Sequence, residues 1–164
     1  MRERAAAPIL FRVAVLTLLA LLLGACASSG RTQSGLIKRI NPPSASIESL
    51  AIRSDGPAQV AVRLQNFSTV PTRYGVLDAE VVLDGRPAGR LRLEAGIEIP
   101  GLTSDVVQAE LALAPDARAR LAAAGAAVPY RLQGVIATTE PEDDYEFTFE
   151  SRLNPVPGRP GEFR

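Results

Sequence analysis

Apolar and polar side chains alternate with a period of two through most of residues 44–153, as in strands that bury one face. In the segment 145–153, Tyr145, Phe147 and Phe149 alternate with Glu146 and Thr148. Comparable segments lie near residues 47–52, 59–66, 77–84, 86–93, 107–113 and 130–136. The pattern predicts about seven strands.

Two local signals organise these strands. Asp84-Gly85 lies between two alternating segments and predicts a tight hairpin turn. Residues 115–124 break the period: Pro115 suits a first helical turn, Asp116 suits its positive end, and Gly125 is a candidate C-terminal cap. The sequence therefore predicts an all-β, immunoglobulin- or fibronectin-III-like antiparallel sandwich with one short inserted helix over residues 44–153.

The N-terminus has the organisation of a secretory signal. Arg2, Arg4 and Arg12 precede an uncharged run, residues 13–27, that would span only about 22 Å as a helix against about 30 Å of bilayer hydrocarbon. The run contains Leu23-Gly24-Ala25-Cys26, which resembles the bacterial lipobox, and Cys26 is the only cysteine of the chain. We expect a lipoprotein signal peptide over residues 1–25 and lipid attachment at Cys26.

This resemblance implies a location in the bacterial cell envelope. Ala27, not Asp, follows Cys26. By analogy with lipoproteins of diderm bacteria, this favours the outer membrane, with the domain facing the periplasm.

The segments on either side of the strands differ in composition from them. Residues 26–43 are rich in Ser, Gly and small polar residues and end in two prolines, which predicts a flexible tether. The alternative is that Leu36, Ile37 and Ile40 dock on the domain. Residues 154–164 contain three Pro and two Gly and predict a disordered tail. A Pro-rich ligand is the alternative there, although the tail lacks PxxP spacing.

The composition of the 164 residues excludes several functions. The absence of His removes the usual general base and the commonest zinc ligand, and a single Cys cannot form an intramolecular disulfide. The serines near the tether have no base placed beside them, so nucleophilic catalysis is not supported. They are Ser28, Ser29, Ser34, Ser44 and Ser46. The net charge of zero offers no broad basic surface, and we expect no nucleic-acid partner.

A set of short motifs spaced along residues 42–154 resembles one family. They are a proline-led first strand, Val62-Arg63-Leu64-Gln65-Asn66, Val70-Pro71, Asp84-Gly85 with Gly89, and Ile99-Pro100-Gly101-Leu102. The set is similar to the water-stress and hypersensitive-response (WHy) domain, which defines group-two late embryogenesis abundant proteins and occurs in bacterial lipoproteins. Phe67 stands where that family usually has Pro after Asn.

The WHy resemblance implies a seven-stranded sandwich with one helix, and no established active site or cofactor. It implies protection during water stress or an accessory role in the envelope. We therefore expect a non-enzymatic, lipid-anchored, stress-protective protein. The alternative is a structural adaptor of an envelope complex, and an enzyme is a third hypothesis that the missing residue types disfavour.

One acidic cluster offers candidate chemistry. Glu140, Glu142, Asp143 and Asp144 surround Pro141 at an expected turn. A calcium site or a carboxylate pair for glycoside hydrolysis would use such groups, but the spacing is not that of a calcium loop and the chain has no Trp platform. We predict a solvated turn without metal.

Four further residues have structural explanations. Tyr74, Tyr130 and Tyr145 suit core or edge positions with hydroxyls at the rim. Asn66 is interpreted as a turn residue at a strand end.

Overall fold

Eight strands and one helix make up residues 37–164, the part of the chain that the computed structural model describes. They are β1 Ser44–Ala51, β2 Ala58–Gln65, β3 Thr72–Leu83, β4 Arg86–Ile99, β5 Ser104–Leu111, α1 Pro115–Ala122, β6 Val128–Glu140, β7 Glu142–Leu153 and β8 Glu162–Phe163. The predicted all-β class with one short inserted helix is confirmed. Residues 37–164 form one compact unit, and the predicted signal peptide, 1–25, lies outside them.

All eight strands belong to one antiparallel sheet, in the order β7-β6-β3-β4-β5-β2-β1-β8. The two halves of this sheet meet where β4 pairs with β5 through a single residue pair, Leu91 with Leu111. The sheet curls there, so that β1 packs against β6 and β7 although they are not its neighbours in the sheet.

The expected immunoglobulin-like sandwich is therefore not confirmed, because the strands form one curled sheet of eight. Alternation of apolar and polar residues reports only that one face of each strand is buried. A single curled sheet and two facing sheets both satisfy that condition.

The predicted strand faces are confirmed. In β6, Tyr130, Leu132 and Ile136 are buried, and Phe147 of β7 is buried beside them. The inward side chains of the other strands join these residues in one continuous apolar core. Among them are Val60, Val62, Leu64, Leu77, Ala79, Val81, Leu91, Leu111 and Leu153.

A β-bulge explains the break in this alternation in β3. Val81 and Val82 are consecutive and both buried, and the pairing of β3 with β4 shifts register between them. Beyond the bulge, Asp84 and Gly85 have φ of 50° and 72°, the left-handed pair that a type I′ hairpin requires. The predicted hairpin turn is confirmed.

The helix α1 begins at Pro115, as predicted, and pairs Asp116 with Arg120 on its surface. It buries Ala117 and Leu121 against the sheet. It ends at Ala122, before Gly125, so Gly125 is not its cap. Between residues 37 and 164, no helix has the length and apolar character needed to cross a bilayer.

The C-terminal segment 154–164, which the sequence predicts to be disordered, is ordered in the structure. Its strand β8 pairs with β1, where Leu50 faces the buried Phe163. Asn154 and Arg164 exchange two backbone hydrogen bonds of 2.7 and 3.0 Å, which close the segment into a loop. The Pro and Gly content correctly predicts turns in this segment. It does not predict that Phe163, near the end of the loop, is buried in the core.

Candidate functional site

The strongest site predicted from sequence, lipid attachment at Cys26, lies outside the described residues, as do Ser28, Ser29 and Ser34. Ser44 and Ser46 are half-buried residues of β1.

The acidic cluster forms the exposed turn between β6 and β7. Thr138 donates a hydrogen bond of 2.6 Å from its hydroxyl to the carbonyl oxygen of Pro141, which holds the turn from within. Glu140 lies 3.9 Å from Arg73, and the backbone N–H of Asp144 donates to the carboxylate of Asp143. Within residues 37–164 no group of three or more acidic, His or Cys side chains is placed to hold a metal ion.

A second arrangement, which the sequence did not single out, lies on the outer face of β3, β4 and β6. Asp78 accepts a hydrogen bond of 2.6 Å from Arg90, and Arg92 lies 3.4 Å from its other oxygen. The hydrogen bond from Arg90 holds the pKa of Asp78 below its usual value. Asp78 and Arg90 line an open depression beside Gly134, where an added Cβ would overlap the carbonyl oxygen of Asp78. Paired charges on an open surface offer no group poised for proton transfer.

The most highly organised loops surround Asn66, at the end of the domain where the described chain begins. Asn66 is only 1% exposed. Its amide nitrogen donates to the carbonyl oxygens of Val70, Ile99 and Pro100 at 2.9, 3.0 and 3.2 Å. Its side-chain oxygen accepts from the backbone N–H of Ser68 at 2.9 Å. One amide thus ties the β2–β3 loop to the β4–β5 loop.

The segment 37–43, where the described residues begin, is bonded to the β2–β3 loop through its backbone. Thr69 accepts a hydrogen bond from the N–H of Arg39 at 2.9 Å and donates one to the carbonyl oxygen of Ile37 at 2.8 Å. The backbone N–H of Asn41 donates to the hydroxyl of Ser68 at 3.0 Å. The end of the predicted tether, 37–43, therefore docks on the domain through polar groups, whereas Ile37 and Ile40 stay exposed.

The β4–β5 loop completes the arrangement. The backbone N–H of Leu102 donates to the carbonyl oxygen of Ser68 at 2.9 Å. Gly101 lies so close that an added Cβ would be 2.6 Å from the carbonyl carbon of Thr69. Leu102 itself has φ of 60°, a left-handed conformation that a large side chain rarely adopts.

The hydrogen-bonded loops carry four large apolar side chains that face solvent. We call these four residues the apolar tip: Ile37, Ile40, Phe67 and Leu102, which are 70, 46, 48 and 61% exposed. Their backbones lie on segments joined directly by the hydrogen bonds described above. Two features of the sequence hinted at this tip: Phe67 occupies the place of a family proline, and docking of Ile37 and Ile40 was the alternative to a flexible tether.

Two of the three tyrosines are core residues. Tyr74 and Tyr130 are buried, and Tyr145 is partly exposed. Burial raises the pKa of Tyr74 to about 12, with a smaller contribution from Tyr145. Burial also raises the pKa of Tyr130 and of Tyr145. The carboxylate of Asp143 adds to the raised pKa of Tyr145.

No protein-family model matches the sequence, and no curated protein matches it. Among solved structures, the chain is similar to the solution structure of AT1g01470 from Arabidopsis thaliana, with a TM-score of 0.53 and 13% identity over 71% of this chain and 84% of that one. AT1g01470 is a small β protein of the LEA14-like, WHy type. At this identity the likeness shows the fold alone.

A crystal structure of a protein from Archaeoglobus fulgidus also matches, at 12% identity over 72% of this chain and 98% of that one. The TM-score of this match is 0.40.

Proposed function

We propose that this protein is a non-enzymatic lipoprotein of the bacterial envelope whose β domain protects against desiccation or osmotic stress. The observation that carries the anchor is the sequence Leu23-Gly24-Ala25-Cys26, which contains the only thiol of the chain. Just ten residues, 27–36, separate Cys26 from the start of the compact unit at Ile37. A lipid at Cys26 would therefore keep the domain next to a membrane.

The fold supports the protective part of the proposal. The domain has the fold of AT1g01470, and its sequence resembles the WHy domain. It buries a continuous apolar core, so any protective action would come from a folded surface and not from a solvated coil.

Membrane attachment is tested by replacing Cys26 with Ser and fractionating the cells. The variant should accumulate with its signal peptide uncut, and it should be missing from the outer-membrane fraction in which the parent protein is expected. Ser29→Ala, three residues away, is the matched control and should behave as the parent protein does. A Cys26→Ser variant that is still processed and membrane-bound would overturn the anchor.

The stress role is tested separately with a deletion strain. We expect reduced survival after drying or hyperosmotic shock, normal growth otherwise, and rescue by the intact gene. Rescue should fail with Asn66→Asp, which removes the hydrogen bonds that hold the loops together. Equal survival of the deletion and parent strains would contradict protection.

The alternative is a structural adaptor of an envelope complex. The observation that favours it is β7, a strand of 12 residues at one edge of the sheet, which could pair with a partner strand. The Pro-rich segment 154–164 is a poorer docking motif, because its backbone is already bonded to the domain. Crosslinking from Glu146, exposed on β7, in intact cells would capture a defined envelope protein if the adaptor role is correct.

A further inference from the structure

We infer that the apolar tip inserts into the same lipid surface that holds the anchor, so that the domain is docked on the membrane in one orientation. This inference rests on the proposed lipid anchor and adds a second, non-covalent contact to it. It gives the four exposed side chains a common partner, the acyl region of a lipid monolayer.

The position of the tip relative to the predicted anchor carries the inference. Ile37 is the first described residue, and residues 37–41 are bonded to the β2–β3 loop that carries Phe67. Ser68 of that loop in turn accepts a hydrogen bond from the backbone N–H of Leu102. Ten residues lie between Cys26 and Ile37 and can span no more than about 35 Å. An acyl group on Cys26 would thus hold this end of the domain near lipid and raise the effective concentration of the contact.

The backbone conformation of Leu102 indicates that its exposed side chain has a function. A large residue at φ of 60° destabilises the turn, and Asn or Gly would relieve the strain. Leu102 gains little burial within the domain to offset that cost, since it is 61% exposed. Strain of this kind at an exposed apolar residue points to a contact outside the chain.

Charge decides which lipid surface fits. Lys38 and Arg39 are exposed beside the tip, but the acidic β6–β7 turn lies at the same end of the sheet, because Arg73 near the start of β3 pairs with Glu140. These opposite charges give no net attraction to an anionic surface. The contact is therefore apolar, and a zwitterionic phosphatidylcholine surface is sufficient for it.

The test uses the absence of Trp from the chain and the single thiol at Cys26. A chain of residues 26–164, which contains the whole compact unit, is coupled through Cys26 to a maleimide lipid in phosphatidylcholine vesicles. Single tryptophans report insertion by a blue shift and by quenching from lipids brominated on their acyl chains. Probes at Phe67→Trp and Leu102→Trp are compared with Ala126→Trp, which is exposed in the loop between α1 and β6 at the opposite end of β3.

We expect brominated lipid to quench both tip probes at least threefold more strongly than the Ala126→Trp probe. Adding Leu102→Asn to the Phe67→Trp chain should weaken quenching without lowering the melting temperature, because Asn tolerates the left-handed conformation. Equal quenching at both ends of the domain would overturn the inference. A blue shift that needs no vesicles and grows with protein concentration would also overturn it, by assigning the tip to a second copy of the chain.

Because the lipid is attached chemically, insertion of the tip is tested independently of whether the cell acylates Cys26. Whether the cell acylates Cys26 is read from the mass of the protein isolated from membranes. Unmodified Cys26 would reject the proposed anchor, whereas the tryptophan probes decide the tip independently.

Discussion

The backbone N–H of Ile47 in β1 donates a buried hydrogen bond of 3.1 Å to the phenolic oxygen of Tyr130 in β6, 83 residues further along the chain. These strands are not neighbours in the sheet, so the bond joins its two halves across the interior. Within the sheet, the two halves are joined by only one residue pair between β4 and β5. The bond from Ile47 to Tyr130 therefore helps to hold the sheet in its curled form.

The first prediction concerns this bond. Tyr130→Phe should lower the free energy of unfolding by about 1–3 kcal/mol, because the N–H of Ile47 is left buried without a partner. Tyr74→Phe is the matched control: the buried hydroxyl of Tyr74 has no hydrogen-bond partner within residues 37–164, so its loss should cost less than about 1 kcal/mol. Chemical denaturation measures both, and equal losses would contradict a structural role for the Ile47 bond.

The second prediction concerns alkaline pH. Burial raises the pKa of Tyr74 from 10.0 to about 12, so the unfolded chain loses this proton first as pH rises. The associated stability is fully present below about pH 10 and is lost as pH rises towards 12, with a magnitude on the order of 2–3 kcal/mol. Unfolding at pH 8–12 should show a shallower decline for Tyr74→Phe than for the parent, and superimposable declines would contradict the shift.

The third prediction concerns the face of β7. Phe147 is buried, so Phe147→Ala should cost about 3–5 kcal/mol, whereas the exposed Thr148→Ala should cost less than about 1 kcal/mol. Phe149 is only partly buried, with its ring centroid 6.3 Å from that of Tyr130, and Phe149→Ala should fall between them. Denaturant melts in which Thr148→Ala costs as much stability as Phe147→Ala would overturn the assignment of the buried face of β7.

The fourth prediction concerns the loops around Asn66. Asn66→Asp replaces three donated hydrogen bonds with a carboxylate facing three carbonyl oxygens, and should cost at least about 3 kcal/mol at pH 7. Gln65→Glu, whose side chain makes one exposed bond to Thr103, is the control and should cost less than about 1 kcal/mol. Thermal melts compare them, and a tolerant Asn66 would show that the loops are held elsewhere.

The fifth prediction concerns the acidic turn. Millimolar Ca²⁺ should leave the melting temperature where an ionic-strength control leaves it, because the described carboxylates do not converge on one point. A bound ion at a hundredfold excess over its Kd would add about 2.7 kcal/mol. A rise that disappears in the Asp143→Asn, Asp144→Asn double variant would instead establish a calcium site.

The local pattern of the sequence determined the strands, the Asp84-Gly85 hairpin and the start of the helix. Each depends on residues close together in the chain: alternation selects the buried face of β7, and the turn needs two residues that tolerate positive φ. The lipobox resemblance at Cys26 is equally local. It stays a prediction, because that residue lies outside the described part of the chain.

Only the tertiary structure decided which strands meet and which loops join. From the sequence alone, Phe163 belongs to a Pro-rich tail, whereas in the structure it pairs with Leu50 of β1. From the sequence alone, Asn66 is a turn residue. In the structure its amide donates to the carbonyl oxygens of Ile99 and Pro100, which are 33 and 34 residues away. The physical reason is that a period-two pattern encodes burial but not the identity of the partner, whereas curl, loop docking and an exposed apolar tip depend on contacts between distant residues.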